Sequence, residues 1–129
     1  MAQVKIYGLQ EHLAPIKTQI SDCVHSCIVT AFQVPANKRF HRFFEMTKDN
    51  FHYPADRTER YTIIEISLFK GRSVQAKKYL YQLLFTRFEK DFSISPLDLE
   101  ITLSETSPCN WGIRGKPGDE LTLDYSIAV

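Results

Sequence analysis

The chain has 129 residues, 43% of them hydrophobic and 24% charged, which fits one globular domain and argues against disorder. Sixteen Lys and Arg against fifteen Asp and Glu leave a formal charge of +1, so the basic excess of a nucleic-acid binder is missing. Three cysteines are too few for a disulfide framework and fit a reducing compartment. The opening segment has neither the apolar core nor the cleavage pattern of a secretion signal, and no stretch reaches the ~20 apolar residues of a membrane span. The expectation is a soluble, cytoplasmic single domain over 1–129, with no nucleic-acid or membrane partner.

Val4 and Ile6 alternate with Lys5 and Tyr7 and predict a short strand, broken by Gly8. Pro15 suits the first turn of a helix, where its missing N–H costs nothing. Ile16, Ile20, Cys23, Val24, Cys27, Ile28 and Ala31 then recur at helical spacing up to Phe32, before Pro35. A second strand is predicted from Arg39 to Glu45. A polar connection over 49–60 leads into a strongly β-prone strand, Tyr61 to Phe69. Lys70-Gly71-Arg72 is a turn, and Ser73 is a good helix N-cap. Behind it, Val74, Ala76, Leu80, Leu83, Leu84 and Phe88 trace one helical face. Leu97, Leu99, Ile101 and Leu103 alternate with polar residues, the cleanest strand pattern in the chain. A loop over 107–118 holds the only tryptophan, Trp111, and alternation from Leu121 to Val129 predicts a C-terminal strand over 120–129.

The order strand, helix, strand occurs twice. Residues 1–46 can be laid on 61–106: Ile6 on Ile66, Phe32 on Phe92, Val34 on Ile94 and Glu45 on Glu105, each 60 positions apart. The pattern predicts an α+β domain built as an internal pseudo-repeat of two βαβ units, forming a four-stranded sheet with two helices on one face. The other face then has no cover within the chain. In the strand ending at Phe69, Ile64, Ile66 and Leu68 point one way, while Tyr61, Ile63 and Phe69 point the other. Apolar residues on both sides predict an obligate oligomer.

Several side chains carry chemistry. Arg72 and Lys70 precede a helix N-terminus, where free N–H groups, a partial positive charge and a bidentate guanidinium favour a carboxylate or phosphate. Solvated turn residues are the alternative. Cys23 and Cys27 lie one turn apart but His25 points away from them, so no metal is expected and His25 reads as structural. Trp111 is a pocket wall or a subunit contact. Arg114, three residues later, is a further anion ligand or a surface charge, and either His41 or Arg42 faces a polar cleft or a neighbour.

These segments resemble the tautomerase superfamily, in its branch of malonate semialdehyde decarboxylase-like and cis-chloroacrylate dehalogenase-like proteins. The resemblance is carried by Asp22-Cys-Val-His25, by Val34-Pro35-Ala-Asn-Lys-Arg39-Phe40, and by Gly71-Arg72-Ser73 with Gln75 and Lys77. Ile94-Ser95-Pro96-Leu-Asp98, Glu105 and Asn110-Trp111-Gly112 complete it. It implies a homotrimer without cofactor, acting on a small carboxylate. It also implies an acid–base group at the amino-terminal proline exposed when the initiator methionine is removed. Ala2 stands at that position, and no proline precedes Pro15. Lys38 stands where the decarboxylase-like pattern has an aspartate, and Lys70 where it has a second arginine; Arg72 and Arg39 are retained. The residues expected at the site are thus Ala2 in the catalytic position, with Arg72, Lys70, Arg39, Trp111 and Arg114 binding substrate. Two functions follow: a proline-less homologue with weak, altered or lost tautomerase activity on an oxo or enol carboxylate, or a non-catalytic anion-binding or scaffold trimer.

Overall fold

The computed structural model describes residues 2–129. Strand β1 (Ala2–Leu9) passes into a one-turn helix α1 (Gln10–Leu13), then helix α2 (Lys17–Phe32) and strand β2 (His41–Met46). The second half follows as β3 (Thr62–Phe69), α3 (Val74–Phe92) and β4 (Leu99–Thr106), with a small hairpin of β5 (Gly112–Ile113) and β6 (Lys116–Pro117). The sheet order is β2-β1-β3-β4. β1 runs parallel to β2, β3 parallel to β4, and β1 antiparallel to β3, so each half is a βαβ unit and the two meet along the centre of the sheet. This is the predicted α+β architecture.

Corresponding elements recur at a constant spacing. β1 spans 2–9 and β3 spans 62–69; short 3-10 turns fall at Lys48–Asn50 and Pro108–Asn110. Both long helices end in a left-handed residue, Gln33 (φ 56°) and Ser93 (φ 55°), which closes the last turn and turns the chain back to the sheet. Val34 and Ile94 follow them into the core.

One face of the sheet is apolar because its strands place every second residue there. Val4, Ile6, Ile64, Ile66 and Leu68 pack on Ile20, Val24, Ile28 and Phe32 of α2 and on Leu80, Leu84 and Phe88 of α3. The helices also meet each other, and Arg87 Nη1 donates to Ser26 Oγ across them at 3.2 Å.

Four expectations change. Val74 is exposed, because the first residue after a cap sits at the rim of the helix and not on its packed face. Pro15 lies in the turn between α1 and α2, and α2 begins at Lys17. The second sheet face is covered at one end only: Phe51, Tyr53 and Tyr61 of the long connection pack with Leu9, Tyr7, Met46 and Ile63 as a satellite cluster, while Phe44 and Glu65 stay exposed. Residues 121–129 form no strand within the chain and instead run as an irregular segment after a 3-10 turn at Gly118–Glu120. Their odd-numbered side chains still turn inward, because the segment lies against the body. Among the described residues no helix is long and apolar enough to cross a membrane.

Candidate functional site

The start of β1, the turn after β3 and the loop after β4 converge at one end of the sheet. Ala2 pairs with Leu68 at the head of β1, and its side chain packs on the main core. Met1, whose removal would expose the Ala2 amine, lies outside the described residues. Phe69 ends β3, and the chain turns through Gly71 into α3, whose N-cap Ser73 accepts from Ala76 N–H at 3.1 Å.

Arg72 lies on this turn and is 5% exposed. Its Nη1 donates to Phe69 O at 3.2 Å, and its guanidinium carbon sits 5.3 Å from the centre of the Phe32 ring. Nε and Nη2 are buried and carry no hydrogen bond of good geometry. Burial pushes the guanidinium below its ordinary pKa, while Tyr125 and Glu105 act in the opposite direction. Glu105, on the helix-facing side of β4, pairs through Oε1 with Lys77 Nζ at 2.5 Å, and its Oε2 is buried without a partner. No direct ion pair joins Arg72 to Glu105 among the described residues. The cluster therefore holds a cation and a carboxylate that feel each other, with the Tyr125 hydroxyl beside the guanidinium and Glu105 Oε2 without a partner. Buried groups of this kind nearly always have a partner.

Trp111 packs edge-on against Phe69, with ring centres 5.2 Å apart, and its Nε1 donates to Thr106 Oγ1 at 2.8 Å. Phe69 and Thr106 are paired neighbours on the sheet face opposite Leu68 and Glu105, so Trp111 covers that other face. Beyond it the hairpin β5–β6 turns through Arg114 (φ 55°) and Gly115 (φ 79°), the pair of positive φ values that a two-residue hairpin needs. The 107–118 loop expected from sequence contains this hairpin because the Arg-Gly pair sets its turn. Arg114 is thereby carried to an open cavity of about 460 Å³, shared with Gln3, Lys38, Phe40, Gly112 and Ile113. That cavity has two cations, no carboxylate and an apolar floor.

The expected site residues thus divide. Arg72 stands in the buried cluster, Trp111 packs apart from it on the Phe69 ring, and Arg114 joins Lys38 at the open cavity. Lys70 is exposed on the turn, tied through its backbone N–H to Thr106 O at 2.9 Å. Arg39 points elsewhere: its Nη1 pairs with Asp22 at 2.6 Å on the exposed flank of α2. Sequence reasoning missed Gln3, Ile113, Tyr125 and the placement of Lys38. Gln3 had a findable signal, since it neighbours Ala2 on β1. The approach of Tyr125 to Arg72 had none, because the path of the last nine residues depends on tertiary packing. Among the described residues no group of three or more His, Cys, Asp or Glu is arranged to hold a metal ion.

Comparison with known proteins sets this geometry in a family. The model of the family described as tautomerase enzyme matches residues 38–114. The probable tautomerase YrdN of Bacillus subtilis (strain 168) is 26% identical over 102 residues, covering 72% of this chain and 75% of that protein. A malonate semialdehyde decarboxylase, whose structure was solved to explain its decarboxylase and hydratase activities, superposes with a TM-score of 0.79 at 25% identity. The match covers 92% of this chain and 99% of that one. A fused 4-OT solved as an asymmetric trimer has the same fold, with a TM-score of 0.80 at 19% identity over 91% of this chain and 96% of its own.

Proposed function

This chain belongs to the family of tautomerase enzymes, and we propose that it is a homologue working without the amino-terminal proline: it holds a small oxo or enol carboxylate at Arg72, and its tautomerase activity is reduced. The observation that carries this reading is Arg72 itself, 5% exposed at the head of a 19-residue helix, with Nε and Nη2 making no hydrogen bond of good geometry. A carboxylate would take both nitrogens as a bidentate partner and would gain from the helix N-terminus. Lys38 and Arg114 at the neighbouring cavity favour the approach of an anion.

The reduced activity follows from Ala2. A secondary amine near a buried cation has a pKa depressed from the ordinary α-amine range of about 7.7–8.0 and serves as a base near neutrality. Alanine offers at most a primary, more mobile amine. Lys38 supplies no carboxylate for steps that need an acid–base partner opposite the amine.

A second reading keeps the fold and drops the chemistry: a non-catalytic anion-binding or scaffold trimer. The bond from Arg72 to Phe69 O and its contact with Phe32 favour it, because both are what a purely structural arginine makes. In either reading we propose a homotrimer, supported by the trimeric fused 4-OT and by exposed Phe40 and Phe44 at the β2 edge.

The test is ketonisation of an aryl enol-pyruvate followed in the ultraviolet, for wild type, Ala2→Pro, Arg72→Ala and the double variant, with loss of Met1 checked by mass spectrometry. Ala2→Pro is expected to raise the rate clearly, and Arg72→Ala to abolish that gain. A fast wild-type rate that ignores whether Met1 is present contradicts the loss of amine chemistry. No gain in Ala2→Pro gives the lead to the scaffold reading.

A further inference from the structure

The cavity of about 460 Å³ and the Arg72 guanidinium lie on opposite sides of the sheet. Gln3, which lines the cavity, sits between Ala2 and Val4 on β1. Those two pack on the main core, so Gln3 belongs to the face turned away from the helices. The Arg72 guanidinium stands instead over the Phe32 ring of α2, on the helix side.

Two tightly held pieces of chain bring cations to this cavity. Lys38 sits in a turn closed by its own N–H, which donates to Pro35 O at 3.0 Å, and Phe40 O then accepts from Val4 N–H at 2.9 Å. Arg114 rides on the β5–β6 hairpin, which Trp111 pins to Phe69 and Thr106. At the base of that hairpin Gly118 N–H donates to Trp111 O at 2.7 Å. Gly118 lies so near the loop that a Cβ there would collide with Pro108 O, so the base has little room to shift. Among the described residues neither the Lys38 ammonium nor the Arg114 guanidinium makes an ion pair. No carboxylate lines the cavity, while Phe40, 44% exposed, and Ile113 give it an apolar wall. Two cations facing one concave space add their potentials there.

We propose that this cavity is a second anion site, independent of Arg72, and that it takes a phosphate monoester carrying a small aromatic body. Such an ester is dianionic above its second pKa of about 6, so one head neutralises both cations, whereas a carboxylate neutralises one. Arg114 offers a fork of N–H donors and Lys38 a mobile point charge, a pairing that suits three equivalent oxygens. The ring lies against Phe40 and Ile113. Phe40 also belongs to the surface proposed to meet a neighbouring copy, so the ligand sits beside that contact.

The probe is phenyl phosphate, titrated calorimetrically into the full chain at pH 7.5 and low ionic strength. Benzenesulfonate has the same ring and a three-oxygen head with a single charge, and is expected to bind roughly tenfold more weakly. Inorganic phosphate, which leaves the apolar wall uncovered, is also expected to bind more weakly. Lys38→Met keeps the apolar stem, and Arg114→Gly suits the left-handed turn at φ 55°, so both variants keep the fold. Each should weaken phenyl phosphate roughly tenfold, and added salt should weaken it in wild type. Unchanged affinity in either variant, equal affinity for phenyl phosphate and benzenesulfonate, or no binding by wild type overturns the site. Phenylacetate, the probe for Arg72, is titrated into the same two variants. Its retention there is expected, and its loss together with phenyl phosphate means one shared site and overturns the independence. Phenylacetate binding by no protein removes the Arg72 reading and leaves this site standing.

Discussion

His41 shows how one residue reports on its surroundings. It starts β2 with its ring turned toward α2, where Nδ1 lies 2.8 Å from Ser21 Oγ. His25 stands edge-on to His41 at 6.0 Å between ring centres, and its own Nε2–H donates to Ala36 O at 2.7 Å. Burial, His25 and Arg39 push His41 down to about 4, against the opposing pull of Asp22. The unfolded chain titrates near the ordinary value of about 6.5. Between those values the unfolded state binds more protons, so stability is fully present above about 6.5 and is lost as pH falls toward about 4. His12, also lowered by burial, adds to the same slope. Urea unfolding followed from pH 7.5 to 4.5 should show this decline. His41→Gln, which can keep the bond to Ser21, should flatten it in part. An unchanged slope in that variant places the titration elsewhere.

At the scale of elements, α3 matters most because it presents the site. Its start is set by the Ser73 side chain, which accepts from Ala76 N–H. Ser73→Ala should cost about 1 kcal/mol of unfolding free energy, read as a lower urea midpoint at constant slope. No loss means the helix start is held instead by the turn and by the Val129 carbonyl, which accepts from Ser73 N–H. This cap was legible in the sequence, as were the period of both helices and the alternation of β3 and β4, because each is a local pattern set by one buried face. Residues 121–129 show where such patterns stop being informative. Alternation recorded truly that one side of the segment faces the protein, but a strand also needs a partner, and none lies among the described residues. Arg39 shows the same limit. The family resemblance set it among the binding residues, whereas its side chain is turned away by its ion pair with Asp22 on α2. Lys38, its neighbour, reached the cavity instead.

At the scale of the whole molecule, a fold and a buried cation meet a proposed assembly. The aromatic edge of the sheet, with Tyr7 stacked on Phe44 at 4.8 Å and Phe40 exposed, is the surface proposed to meet a neighbouring copy. Light scattering at low micromolar concentration should give the mass of a trimer, and Phe44→Glu should weaken it by placing an unpaired charge in the contact. A stable folded monomer in the native chain contradicts the assembly. The proposal of function stands or falls on Arg72, and its most direct test is a crystal structure of the full chain with phenylacetate. The expected result is a carboxylate bidentate on Arg72 Nε and Nη2 at about 2.7–2.9 Å. A carboxylate held only by Lys38 and Arg114, with Arg72 still covered and still bonded to Phe69 O, contradicts it.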